Sequence, residues 1–130
     1  MSNVVIVGSN PSLIVGTVGA SGTLTEQFDL SMYNSFGLLS DNANNGTLNF
    51  WVSNQLAAVP SGGGTLQDNY RLLRDNVGAA YALTVPAGNG AFKASDIAVI
   101  APYRFVRIGL STAQSSSSTA PTTFTFVVKG

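Results

Sequence analysis

The chain of 130 residues has no cysteine and no histidine, and only twelve charged side chains, six of each sign. Without cysteine there is no disulfide framework, and the redox compartment stays open. Without either residue, the commonest general base, the thiolate nucleophile and the usual zinc ligands are missing. Serine and threonine are plentiful, but none stands in Gly-x-Ser-x-Gly and none has an imidazole to activate it. The few acids show no spacing that would pair two of them as a glycosidase requires. Catalysis and cofactors are therefore not expected. Six scattered bases neutralise too few phosphates for nucleic-acid binding. No apolar run approaches the length that crosses a bilayer, and residues 1–7 lack the basic start and long apolar stretch of a signal peptide. The expectation is a soluble, cytoplasmically made product with neither nucleic acid nor membrane as partner.

What is present points to a packed domain. Apolar residues make up 45% of the chain, too many for a disordered tail. At this length one domain buries roughly two-thirds of the surface its unfolded chain exposes. A net charge of zero offers little resistance to self-association, which suits a protein that works against neighbours. Residues 1–70 hold Glu26, Asp29, Asp41 and Asp68 and no base; the remainder holds six bases against Asp75 and Asp96, so the halves carry −4 and +4. Either strands of both halves interleave and mix these charges, or an acidic surface of one copy meets a basic surface of the next.

Short strand signals recur between turn residues. Residues 3–7 and 13–18 are β-branched runs separated by Gly8-Ser9-Asn10-Pro11. Leu24, Phe28 and Leu30 alternate with polar residues, the period of a half-buried strand. Asp41 to Gly46 reads as a turn, with Asn45-Gly46 a hairpin signal because both residues tolerate positive φ. As a calcium loop it fails: Ala43 takes a ligand position and Val52 stands where a bidentate Glu belongs. After it, Leu48, Phe50 and Val52 share one face, with Thr47, Asn49, Trp51 and Ser53 on the other. Gly62-Gly63-Gly64 lacks the lysine and the strand-to-helix setting of a phosphate loop. Leu66, Tyr70 and Leu72 lead to an Asp75-Asn76-Val77-Gly78 turn; Tyr81, Leu83 and Val85 stop at Pro86, and Ala87 to Gly90 turns again. Residues 97–101 read as helix or strand, with Ser95 placed to cap a helical turn. Strands follow at residues 103–110 and 122–128, the latter with Phe124, Phe126 and Val128 on one face. The fold class expected is all-β: a single-domain β-sandwich of jelly-roll type with an extended N-terminal segment. Residues 1–22 form an arm or an edge strand, and residues 23–130 the sandwich. Leu48, Phe50, Leu83, Phe124 and Phe126 face the core.

The segments Asn45-Gly46-Thr47-Leu48-Asn49-Phe50-Trp51-Val52-Ser53, Leu72-Leu73-Arg74-Asp75, Ala101-Pro102-Tyr103-Arg104-Phe105-Val106-Arg107-Ile108 and Thr123 to Gly130 resemble, in that order, small capsid decoration (cement) proteins of tailed double-stranded DNA bacteriophages. A strand of the Pro-Tyr-Arg-Phe-Val-Arg-Ile type also occurs in galactose-binding-like sandwiches. The first resemblance covers residues 45–130. It implies a virion protein on the outer capsid surface that contacts the major capsid protein and neighbouring copies. The alternative is a carbohydrate- or receptor-binding module of a phage tail or surface protein. Candidate interaction residues are Val4, Ile6 and Leu13 in the N-terminal segment, Trp51, which reads either as core in a shifted register or as an exposed aromatic anchor, and Arg104 and Arg107, which flank Phe105-Val106 and are expected to pair with carboxylates at a sheet rim. The apolar N-terminal stretch is expected to pair with a sheet or lie along a neighbouring subunit.

Overall fold

The computed structural model describes residues 12–18, 22–55, 66–115 and 120–130. Two antiparallel sheets pack against each other as an all-β sandwich. The first consists of β1 (Ser12–Thr17), β9 (Thr123–Lys129), β3 (Ser35–Ala43) and β7 (Gly88–Ala91), in that spatial order. The second runs β2 (Phe28–Asp29), β8 (Phe105–Leu110), β4 (Gly46–Ser53) and β5 (Arg71–Leu72), with β6 (Ala82–Val85) beside β5 along the same edge of β4. The pairs are nested: β1 with β9, β2 with β8, β3 with β7 and β4 with β6. Successive pairs fall in alternate sheets, as when one long antiparallel ribbon is rolled upon itself.

Alternation decides what enters the core. Leu48, Phe50 and Val52 of β4 point inward beside Leu110, Ile108 and Val106 of β8, their cross-strand partners. From the other sheet come Phe36 and Leu38 of β3 and Phe124, Phe126 and Val128 of β9. Phe28 meets Phe126 edge to face across the gap, ring centres 4.7 Å apart at 81°, a favourable quadrupole geometry. Gly16 makes room for that ring, since a Cβ there would lie 2.4 Å from Phe28 Cζ. Leu83 packs on the core only partly buried. A short helix α1 (Ala94–Ile97) and a 3-10 turn (Ala98–Ile100) bring Ile97 and Ile100 into the same core. The ambiguous segment is thus helical. Ser95 lies inside the helix and Lys93 holds the cap position, without a side-chain cap.

Three turn expectations need correction. Asn45-Gly46 closes no hairpin, because β3 and β4 belong to different sheets and the link between them is an arch. Residues 41–43 continue β3, and the positive φ falls on Asn42 (55°), where the register with β7 shifts. The arch is held by side chains instead of a ladder: Asn44 N donates to Gln114 Oε1 at 2.8 Å, Asn44 Nδ2 to the Ala113 carbonyl at 2.8 Å, and Thr122 Oγ1 to the Asn42 carbonyl at 2.7 Å. Residues 88–90, expected within an Ala87 to Gly90 turn, belong instead to β7, which pairs with β3. Asp75 to Gly78 is the turn expected: Asp75 Oδ1 accepts from Val77 N and Ala79 N at 3.0 Å each, and Gly78 has φ 85°.

Within the N-terminal segment, residues 12–17 are an edge strand in full register with β9. The sandwich therefore starts before residue 23. Strands of both halves of the chain alternate within each sheet, so the acidic and basic halves do not form separate surfaces.

Candidate interaction site

On the first sheet, residues directly opposite share a face. Leu13, Val127 and Gly37 form one outward row, and Val15, Thr125, Leu39 and Ala91 the next. Leu13 is 65% exposed, Val15 58% and Leu39 37%. Thr125, between Val15 and Leu39, is only 7% exposed, although it points outward. Among the described residues of these strands, charge appears only at the two ends of this face, on Lys129 beside Ser35 and on Asp41 beside Thr123. The result is a largely apolar field on a sheet whose edges, among the described residues, are β1 and β7. A field of this kind is a usual mark of a docking surface, and an edge strand is a template for further pairing.

The remaining candidates separate. Leu13 lies in this field. Val4 and Ile6 fall outside the described residues. Trp51 sits on the outward face of the second sheet, as alternation implies, but half-buried: its indole lies across Gly109 of β8, where a Cβ would come within 2.8 Å of Trp51 Nε1. It is neither core nor a projecting anchor. Arg104 pairs with Asp29 at 3.6 Å, both side chains about half exposed, a contact worth about 0–1 kcal/mol. Burial would raise the Asp29 carboxyl, but hydrogen bonds from Ser31 and the charge of Arg104 hold it below its ordinary value.

Arg107 departs from the expected rim position. It faces outward beside Trp51 yet is fully buried, because residues 25–27 and 67–70 cover that face. Its Nε donates to the Thr25 carbonyl at 2.9 Å and its Nη1 to Gln67 Oε1 at 2.8 Å. Beside it, the buried Tyr70 hydroxyl donates to Gln27 Oε1. Burial lowers the Arg107 pKa and pushes Tyr70 up to about 12, with Arg107 pulling the phenol weakly the other way. An alternating pattern shows which way Arg107 points, but not which distant segment will lie over it.

The Tyr70 environment has a measurable consequence. A phenol that ionises later folded than unfolded adds stability that is complete below pH 10 and is lost as pH rises from about 10 to 12. Absorbance titration at 295 nm should show a late tyrosine step near pH 12 that disappears in Tyr70→Phe. Survival of that step in the variant would contradict the assignment.

The second sheet carries an open concavity. Where β4 ends beside β5, an open cleft of about 600 Å3 is lined by Asn54, Gln55, Asn69, Arg71, Arg74 and Tyr103, over Val52, Leu72 and Leu73. A shallower groove of about 360 Å3 adjoins it, sharing Asn54 and Tyr103 and adding Tyr33, Ser31 and Arg104. Among the described residues no group of three acids could hold a metal ion, and no helix is long and apolar enough to cross a membrane. Compared with protein-family models, curated proteins and solved structures, the chain matches none.

Proposed function

We propose that this protein is a structural, non-enzymatic virion protein of the decoration or cement type, which attaches to the outside of a capsid shell. The observation that carries the reading is the outer field of the first sheet, uncharged among the described residues and centred on Leu13, Val15, Leu39 and Val127. Its partner would be an equally uncharged patch on the major capsid protein, with neighbouring copies at its rim. The nested strand pairing supports the reading, since it is the pairing a jelly roll makes, and jelly rolls build capsid and lectin domains. The scarcity of charge and the resemblance across residues 45–130 agree with it. Such a protein stabilises the shell by mass action, because it binds the assembled surface and not the dissociated subunits.

Apolar burial, rather than ion pairing, should supply most of the affinity. Exposed charge pairs are screened beyond about 8–10 Å at ordinary ionic strength, whereas apolar contact is not weakened by sodium chloride. Co-sedimentation with shells assembled from a cognate major capsid protein should give nearly the same affinity at low and high salt. A hundredfold fall at high salt would overturn the apolar interface, and no binding at either would overturn the function.

A further inference from the structure

The cleft at the end of β4 lies apart from the apolar field and takes no part in the proposed docking. Its two arginines are exposed, and neither has a carboxylate within ion-pair distance among the described residues, where the single such contact is Arg104 with Asp29. Each guanidinium is nevertheless anchored. Arg71 Nη1 donates to the carbonyls of Asp68 and Tyr70, the latter at 3.0 Å, and Arg74 Nη1 donates to the Gly78 carbonyl at 3.0 Å. A guanidinium carries five N–H donors, so this anchoring leaves donors on both residues for a ligand. Nearby acids are otherwise engaged or turned away: Asp75 caps its own turn, and Asp68 is exposed outside the cleft lining.

The other walls suit a polar ring. Asn69 is held by its Nδ2, which donates to Ser53 Oγ at 2.9 Å and the Gln55 carbonyl at 2.8 Å, so its amide oxygen has a set direction. Asn54 accepts from Arg104 N through Oδ1 at 2.8 Å, which leaves its amide N–H groups as donors. Tyr103 supplies a partly buried aromatic wall shared by the cleft and the adjoining groove. Fixed amides, an aromatic face and unpaired guanidinium donors together match a sugar that bears a carboxylate: hydroxyls to the amides, the apolar ring face to tyrosine, the carboxylate to arginine. An acidic peptide would use the arginines but not the combination of aromatic wall and fixed amides.

We propose that this cleft is a binding site for an acidic sugar, with Arg71 and Arg74 taking the carboxylate, Tyr103 the ring face, and the adjoining groove the next residue of an oligosaccharide. The test is a 1H–15N NMR titration of the full chain with D-galacturonate, D-galactose and a capped tetraglutamate peptide. The expected result is saturable shifts at Asn54, Asn69, Arg71 and Tyr103 with galacturonate, at least tenfold weaker binding of galactose, and digalacturonate extending the shifts to Tyr33. Arg71→Ala and Arg74→Ala should each weaken galacturonate at least tenfold, with Lys129→Ala, on the other sheet, without effect. Equal affinity for galactose and galacturonate, tighter binding of the peptide than of galacturonate, or no saturable shift in the cleft would each overturn the proposal. These comparisons use the native chain, so they stand even if a variant folds poorly, and none depends on capsid attachment.

Discussion

Phe126→Ala is expected to destabilise the sandwich by about 3–5 kcal/mol, as large-to-small changes at fully buried aromatic positions do. The ring is wholly inaccessible, flanked in its sheet by Ile14 and Leu38 and capped edge to face by Phe28 from the opposite sheet. Its removal opens a cavity at the layer boundary, where the core side chains that remain between the sheets keep either layer from moving inward to fill it. Phe50→Ala should cost a similar amount; that ring is equally buried and stacks on Tyr81 at 6.4 Å. Set against a total stability of about 5–15 kcal/mol for a typical domain, either change would lower the melting temperature by roughly 10 °C or more. Urea unfolding of both variants is the measurement. A loss below about 1 kcal/mol at both positions would mean that the inward faces are wrongly assigned.

A second large effect is expected at the opposite extreme of burial. Leu13→Asp with Val15→Asp should reduce attachment to the capsid shell at least a hundredfold while leaving the unfolding midpoint nearly unchanged. Both side chains are more than half exposed in the free chain, so little core energy is lost. In the docked state each apolar side chain removed forfeits about 1.5–3 kcal/mol of burial, and the two new carboxylates would have to be desolvated without partners. Each 1.4 kcal/mol is a factor of ten in affinity. Val77→Asp is the control: Val77 is 82% exposed but sits in the Asp75 to Gly78 turn, away from the field. If it weakens attachment as much as the double variant, general surface apolarity and not this face controls binding.

The two predictions rest on different kinds of knowledge. The inward placement of Phe50, Phe124 and Phe126 is legible in the sequence, because a strand with one buried face must alternate, and large apolar residues recur at every second position at Leu48, Phe50 and Val52 of β4 and at Phe124, Phe126 and Val128 of β9. The Asp75 turn is legible for a local reason too: the aspartate satisfies two backbone N–H groups within four residues, and Gly78 supplies the positive φ. The absence of cysteine and histidine is equally local. Each conclusion depends on residues close together in the chain.

What the sequence could not disclose are the relations between distant segments. Asn45-Gly46 has the composition of a hairpin turn, but the partners that satisfy this link are Gln114, Ala113 and Thr122, 69 to 80 residues away. With those bonds available, the chain crosses between sheets instead of folding back. Arg107 looks like a rim residue until residues 25–27 and 67–70 cover it. The arginines of the cleft lie far in sequence from Asn54 and Tyr103, and only the end of β4 brings them together. The apolar field likewise needs β1, β9 and β3 side by side, from opposite ends of the chain. Local pattern thus determined the all-β class and the buried faces of β4 and β9, but it left residues 35–40 of β3 unread and took residues 88–90 of β7 for part of a turn. The pairing of β1 with β9, the crossing between sheets and both candidate surfaces were decided by tertiary structure, because each depends on hydrogen bonds and contacts whose partners no local pattern specifies.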